Sequence, residues 1–174
     1  MEEKINVAKM KTGGKGIFDM TEVYQNMKYW LDYQGYGDEN KSFIEEKYVE
    51  RIKGEARQIE IRWNAEKKIN DYVTYSIGIT FFVLGLQDVE IEKDGKKIGS
   101  QKGDVEIRFD VNLILDKDKN PGGEPKFKWK SKFFQKIYNE YIIKDRINSH
   151  AGDLYSKSYS LYNEVKTYFD MRGG

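Results

Sequence analysis

The chain contains no cysteine, which removes disulfides, thiolate zinc sites, iron–sulfur clusters and cysteine nucleophiles together. It contains one histidine, so any site needing two is excluded. Only two prolines occur, Pro121 and Pro125, and so few chain breakers in 174 residues favour long elements with polar outer faces. No apolar run approaches the ~18 residues that a membrane-spanning helix needs, and Met1-Glu2-Glu3-Lys4 does not open like a signal peptide. Thirty Lys and Arg against twenty-nine Asp and Glu leave a net charge of +1, so no whole-chain field draws the protein towards nucleic acid. These absences point to a soluble, cytoplasmic protein of one domain. Aromatic residues make up 14% of the chain, thirteen of them tyrosine, which excludes a disordered polyelectrolyte.

Residues 1–18, with the glycine-rich basic stretch Lys11-Thr12-Gly13-Gly14-Lys15-Gly16, read as a flexible N-terminal arm. Their glycines do not match a phosphate-binding loop. Asp19 followed by Glu22 has capping-box spacing. Val23, Met27, Trp30 and Leu31 then recur at helical intervals, predicting a helix over 20–34 that ends at Gly35-Tyr36-Gly37. The period then changes to two. Ile59, Ile61, Trp63 and Ala65 alternate with polar residues, as do Val73 to Val83 and Val105 to Leu115, each predicting a strand with one dry face. Asp94-Gly95 predicts a tight hairpin, and Lys47–Lys53 reads as a further strand paired with 57–66 across Gly54. Phe82 and Ile114 fall on the wet side of their strands and suggest a second, smaller apolar contact.

A turn over 116–125 leads back to helical spacing in a long region, 131–170. Ile147, Ala151, Leu154, Ser158, Leu161, Val165 and Tyr168 form a heptad-like seam there, running through His150-Ala151-Gly152 as one helix or two nearly collinear ones. The expectation is a single α+β domain over 19–174: an antiparallel meander of four to six strands, over about 43–116, with both helices packed on one face.

Several constellations carry candidate chemistry. Asp116, Asp118, Asn120 and Glu124 space oxygen ligands as the opening of an EF-hand loop does. Pro121 and Phe127 stand where that loop needs glycine and glutamate, so a chain-reversing turn is the better reading. Lys126, Lys128, Trp129, Lys130 and Lys132 interleave lysines with aromatics, a pattern suited to phosphates and stacked bases. His150, near Asp145, Ser149 and Asp153, looks like an exposed polar kink rather than a general base. Glu60, Glu66, Glu90, Glu92, Glu106 and Asp110 alternate with cations as a wet sheet face does. Tyr155, Tyr159 and Tyr162 flank Leu154 and Leu161, and tyrosine with an apolar seam gives a helix face wide enough to meet a second surface.

The reading that follows is a non-catalytic interaction domain, neither enzyme nor cofactor protein. It acts through its C-terminal helix on a protein partner or a second copy of itself, with no membrane span. The first alternative is nucleic-acid binding through 126–136. The second is a small apolar ligand held between a curved sheet and its gripping helix, in a cavity lined by Trp63, Tyr75, Ile77 and Phe109.

Overall fold

A computed structural model describes residues 2–36, 43–116 and 144–172. In chain order these form β1 (Glu2–Phe18), α1 (Met20–Tyr33), β2 (Phe43–Lys53), β3 (Ala56–Lys68), β4 (Val73–Lys93), β5 (Lys96–Asp116) and α2 (Lys144–Arg172). The five strands make one antiparallel sheet in the order β1-β5-β4-β3-β2. Strands β2 to β5 are a meander of consecutive hairpins, and β1 closes the far edge beside the last strand. The architecture is α+β.

The register aligns one row across four strands: Met10 on β1, Phe109 on β5, Ile79 on β4 and Trp63 on β3. Ile61, Ala65, Ile77, Phe81, Ile107 and Val111 continue this dry side. Both helices cover it. From α1, the Tyr24 ring meets Trp63 edge-on at 4.7 Å; from α2, the Tyr162 ring meets Phe109 at 6.0 Å. Each fully buried Leu, Ile or Phe in this layer contributes roughly 1.5–3 kcal/mol, the main stabilising term.

Local signals explain the element ends. Asp19 is the N-cap of α1, its Oδ1 accepting the Glu22 N–H at 3.2 Å. At the other end Lys67 reaches the turn at Gly35, placing a cation near the helix C-terminus where the macrodipole favours one. Asp94 and Gly95 both have positive φ, 56° and 76°, as a type I′ turn requires, so β4 and β5 form a hairpin with strands of 21 residues each. The Lys47–Lys53 segment lies within β2 and pairs with β3.

Helix α2 runs unbroken through His150-Ala151-Gly152. Leu154, Ser158, Leu161 and Val165 of its seam are buried, while Ile147, Ala151 and Tyr168 are partly buried. Phe169 is the buried residue of the last turn, packed edge-on against Phe18 at 5.6 Å. The Ser158 hydroxyl is satisfied within its own helix, donating to the Tyr155 carbonyl at 3.1 Å. No described helix is long and apolar enough to cross a membrane.

Two expectations need correction. Residues 2–18 are not a flexible arm but a strand paired with β5 from Glu2↔Asp116 to Phe18↔Gln101. Glycine at position 13 serves close approach rather than flexibility: a Cβ there would collide with the Val105 carbonyl oxygen. At Gly14 a Cβ would stand 3.3 Å from Phe169, so α2 rests almost directly on the strand backbone. Nor do Phe82 and Ile114 share an apolar contact. Ile114 pairs with Thr74, eight residues from Phe82 along β4, a separation of about 26 Å at strand spacing. Phe82 instead lies under Arg108, whose guanidinium carbon is 5.1 Å from the ring centroid. The turn expected over 116–125 and the helical stretch 131–143 lie, beyond Asp116, outside the described residues.

These contacts set opposite expectations for two glycines. Gly13→Ala should destabilise the fold by about 2–3 kcal/mol through overpacking. Gly152→Ala, exposed with open space around it in the middle of α2, should stabilise it by about 0.8 kcal/mol through helix propensity. Urea unfolding followed by circular dichroism checks both signs.

Candidate functional site

The C-terminal helix presents two flanks on either side of its buried seam. Ser160, Glu164 and Tyr168 turn towards α1, while Tyr155, Tyr159 and Tyr162 turn away from it. On the outward flank the Tyr155 and Tyr159 rings are stacked, with centroids 6.1 Å apart and planes 17° from parallel. They are 48% and 46% exposed. Tyr162 leans against Tyr159 at 5.7 Å and reaches down to Phe109, so it is partly buried. Leu154 and Leu161, expected on the same interaction face, are 0% and 1% exposed. They anchor the helix to the sheet and cannot meet a partner. The exposed aromatic surface on this flank is therefore that of Tyr155 and Tyr159.

The flank towards α1 carries a polar cluster that adjacency along the helix does not suggest. His150 and Asp153, three residues apart, both reach the buried Tyr75 of β4. Tyr75 Oη lies 3.0 Å from His150 Nδ1 and 3.2 Å from Asp153 Oδ2. Asp153 also pairs with Lys157 at 3.4 Å. An ionised Asp153 only accepts, so the single Tyr75 proton goes to the carboxylate and His150 Nδ1–H donates to the phenol oxygen. Burial, then the Asp153 charge and the hydrogen bond to it, push the Tyr75 pKa up to about 12. Tyr36, buried where the chain leaves α1 and stacked on Trp30, is raised too, by burial first and then by the charges of Tyr75 and Asp153. A phenol held neutral to such high pH is a poor proton shuttle near neutrality. The arrangement clamps α2 to β4.

Between the two helices runs a groove of about 540 Å³. Met27, Trp30, Leu161 and Val165 line its base, and Tyr29, Tyr33 and Tyr168 line its sides. The residues expected around an apolar cavity are packed instead. Trp63 is in ring contact with Tyr24 and Phe81, Phe109 with Tyr162 and Tyr75 with His150, and Ile77 is fully buried. The groove lies beside the core rather than under the helix, and a second, wider concavity of about 730 Å³ lies over the polar face of the sheet, with Arg62, Asn64, Arg108 and Asp110 among its lining.

The opposite face of the sheet is polar. Asn6 donates to Asp110 Oδ1 at 2.8 Å and to Asn112 Oδ1 at 3.0 Å. Arg108 pairs with Glu106 at 3.2 Å, and Lys11 approaches Glu106 at 3.9 Å. Of the alternating carboxylates, Glu106 is matched by these cations, Glu60 has Arg62 at 4.0 Å, and Asp110 accepts from Asn6.

The remaining candidates fall mostly outside the described residues. Of the oxygen-ligand set, Asp116 ends β5 with its N–H on the Tyr72 carbonyl at 2.9 Å, while Asp118, Asn120 and Glu124 lie outside. Among the described residues, no group of three or more His, Asp or Glu is placed to hold a metal ion. Lys126, Lys128, Trp129, Lys130 and Lys132 lie outside as well. Compared with protein-family models and with curated proteins, the sequence matches none.

The clamp has a pH signature. A phenol whose pKa is higher in the folded than in the unfolded chain stabilises the fold fully below about pH 10. That stabilisation is lost as pH rises through the folded value of about 12. The urea midpoint should therefore fall between these two pH values in the wild-type chain and fall less steeply in Tyr75→Phe. An unchanged slope in the variant would refute the clamp.

Proposed function

We propose that this chain is a non-catalytic binding domain that works by association through its C-terminal helix, with a second copy of itself as partner. The observation that carries the reading is the stacked Tyr155–Tyr159 pair, left about half exposed on a helix whose other apolar residues, Met171 at its end apart, are buried or partly buried. Tyrosine suits such a surface because the ring buries area while its hydroxyl keeps a polar partner, and two χ angles cost little entropy on ordering. A net charge of +1 leaves copies of the chain with little mutual repulsion.

The β1 edge of the sheet is a poorer route to association. Strand β1 carries Lys4, Lys9, Lys11 and Lys15 and shifts register between Asn6 and Ala8. Lysines and bulges are the usual means of blunting an edge against pairing with another chain. The clamp around Tyr75 supports the non-catalytic half of the proposal, since it contains no nucleophile beside its histidine and its phenol stays protonated. The lack of cysteine fits a reducing compartment, and a cytoplasmic location belongs to the same proposal.

Sedimentation equilibrium tests it. The wild-type chain should associate reversibly, and the double substitution Tyr155→Ser with Tyr159→Ser should weaken association at least tenfold, about 1.4 kcal/mol, while the two chains share one thermal midpoint at a dilution where both are monomeric. A wild-type chain that stays monomeric at high concentration, or a double variant that associates equally well, refutes the proposal.

A further inference from the structure

We propose that the groove between α1 and α2 is a binding site for a small organic cation of the quaternary-ammonium type. Its volume, about 540 Å³, lies in the range that small-molecule sites occupy. Its chemistry is one-sided. Four aromatic rings, those of Tyr29, Trp30, Tyr33 and Tyr168, line it together with one carboxylate, Glu164. Among the described residues lining the groove, none is lysine or arginine. In a chain where a third of the residues are charged and the two signs balance, a lined space with acid and no base is a selective feature.

The faces of tyrosine and tryptophan rings attract a cation through their quadrupoles, most strongly when it is weakly hydrated. A quaternary ammonium meets that condition and needs no hydrogen-bond acceptor, so ring faces and one opposing carboxylate suffice. An anion would meet Glu164 with no compensating cation, and a neutral apolar ligand would leave the carboxylate unused. The walls are partly preorganised. The Tyr168 hydroxyl accepts the Asp19 N–H at 3.1 Å and lies 3.3 Å from Glu22 Oε2, fixing that ring against the start of α1. Trp30 is buried and stacked on Tyr36, so it closes the floor of the groove and leaves the ligand-facing ring area mainly to the tyrosines. Tyr29 and Tyr33, one turn apart, stack on each other at 6.4 Å while remaining 70% and 77% exposed. Such exposure leaves ring area available to a ligand at no cost to the core.

The site is independent of self-association, because Glu164 and Tyr168 lie on the flank of α2 opposite Tyr155 and Tyr159. Choline and its uncharged carbon isostere dimethylbutanol, titrated separately into the full chain and followed by calorimetry and by backbone amide shifts, test the proposal. Choline should saturate, with shifts centred on residues 26–34 and 160–168, and the neutral isostere should not. Glu164→Gln and Tyr33→Ala, both at exposed positions, should each weaken choline binding at least fivefold without moving the thermal midpoint. The Tyr155→Ser, Tyr159→Ser variant should bind choline as the wild type does. Failure of choline to saturate, equal binding of the neutral isostere, or unchanged affinity in Glu164→Gln overturns the assignment.

Discussion

The structure depends on roofing one dry sheet face with two helices that share little else. Four strands contribute Met10, Phe109, Ile79 and Trp63 to a single row. Neither helix is wide enough to cover that row alone. Tyr24 of α1 takes the β3 end and Tyr162 of α2 takes the β5 end. The strand order gives each helix its place. Because β1 lies beside β5, the segment carrying α1 must cross the sheet to reach β2 at the opposite edge. Two parallel lids with a seam between them follow from that topology, and the groove is the part of the seam where large rings keep the helices from closing.

Much of this was legible from periodicity. Alternation over 59–65, 73–83 and 105–115 marks the dry face because strand side chains alternate strictly, and Asp94-Gly95 marks its hairpin because few other dipeptides tolerate two positive φ values. Strand β1 was not legible, for a local reason. Its glycines at 13, 14 and 16 remove the side chains that would show alternation, and close packing against Val105 and Phe169 leaves the same composition as flexibility does. Lys4, Asn6, Lys9 and Lys11 fall on one face across the bulge at Val7, a signal that a register shift conceals from strict counting.

The clamp was hidden differently. Sequence adjacency offers His150 only its neighbours along the helix, whereas its partner lies 75 residues away on β4. Helical spacing does place His150 and Asp153 on one flank, so the pair itself was recoverable; Tyr75, which reads simply as another dry-face strand residue, was not. Its ring is buried like its neighbours' while its hydroxyl reaches the edge of the α2 footprint. Leu154 and Leu161 illustrate the converse error. Heptad spacing identifies a seam, but a seam that anchors a helix and one that recruits a partner look alike in sequence, and only burial separates them.

With the seam used up by the sheet, the chemistry left to α2 is divided between its flanks. The outward flank offers the exposed Tyr155 and Tyr159 rings, with Lys166 two turns further on, and the stacked pair suits a flat contact between like surfaces. The inward flank offers His150, Asp153, Lys157 and Glu164, of which the first three are engaged at Tyr75 and with one another. Glu164 is further along the helix, about three turns beyond Lys157's partner Asp153, and so stands outside the clamp and lines the groove with the rings of α1. That separation follows from the 1.5 Å rise per residue: eleven residues from Asp153 to Glu164 span about 16 Å. A side chain at Asp153 can reach β4 because the clamp sits where α2 passes the end of α1, whereas one at Glu164 faces α1 itself. The same helix face thus fastens the lid at one end and leaves a carboxylate to the groove at the other.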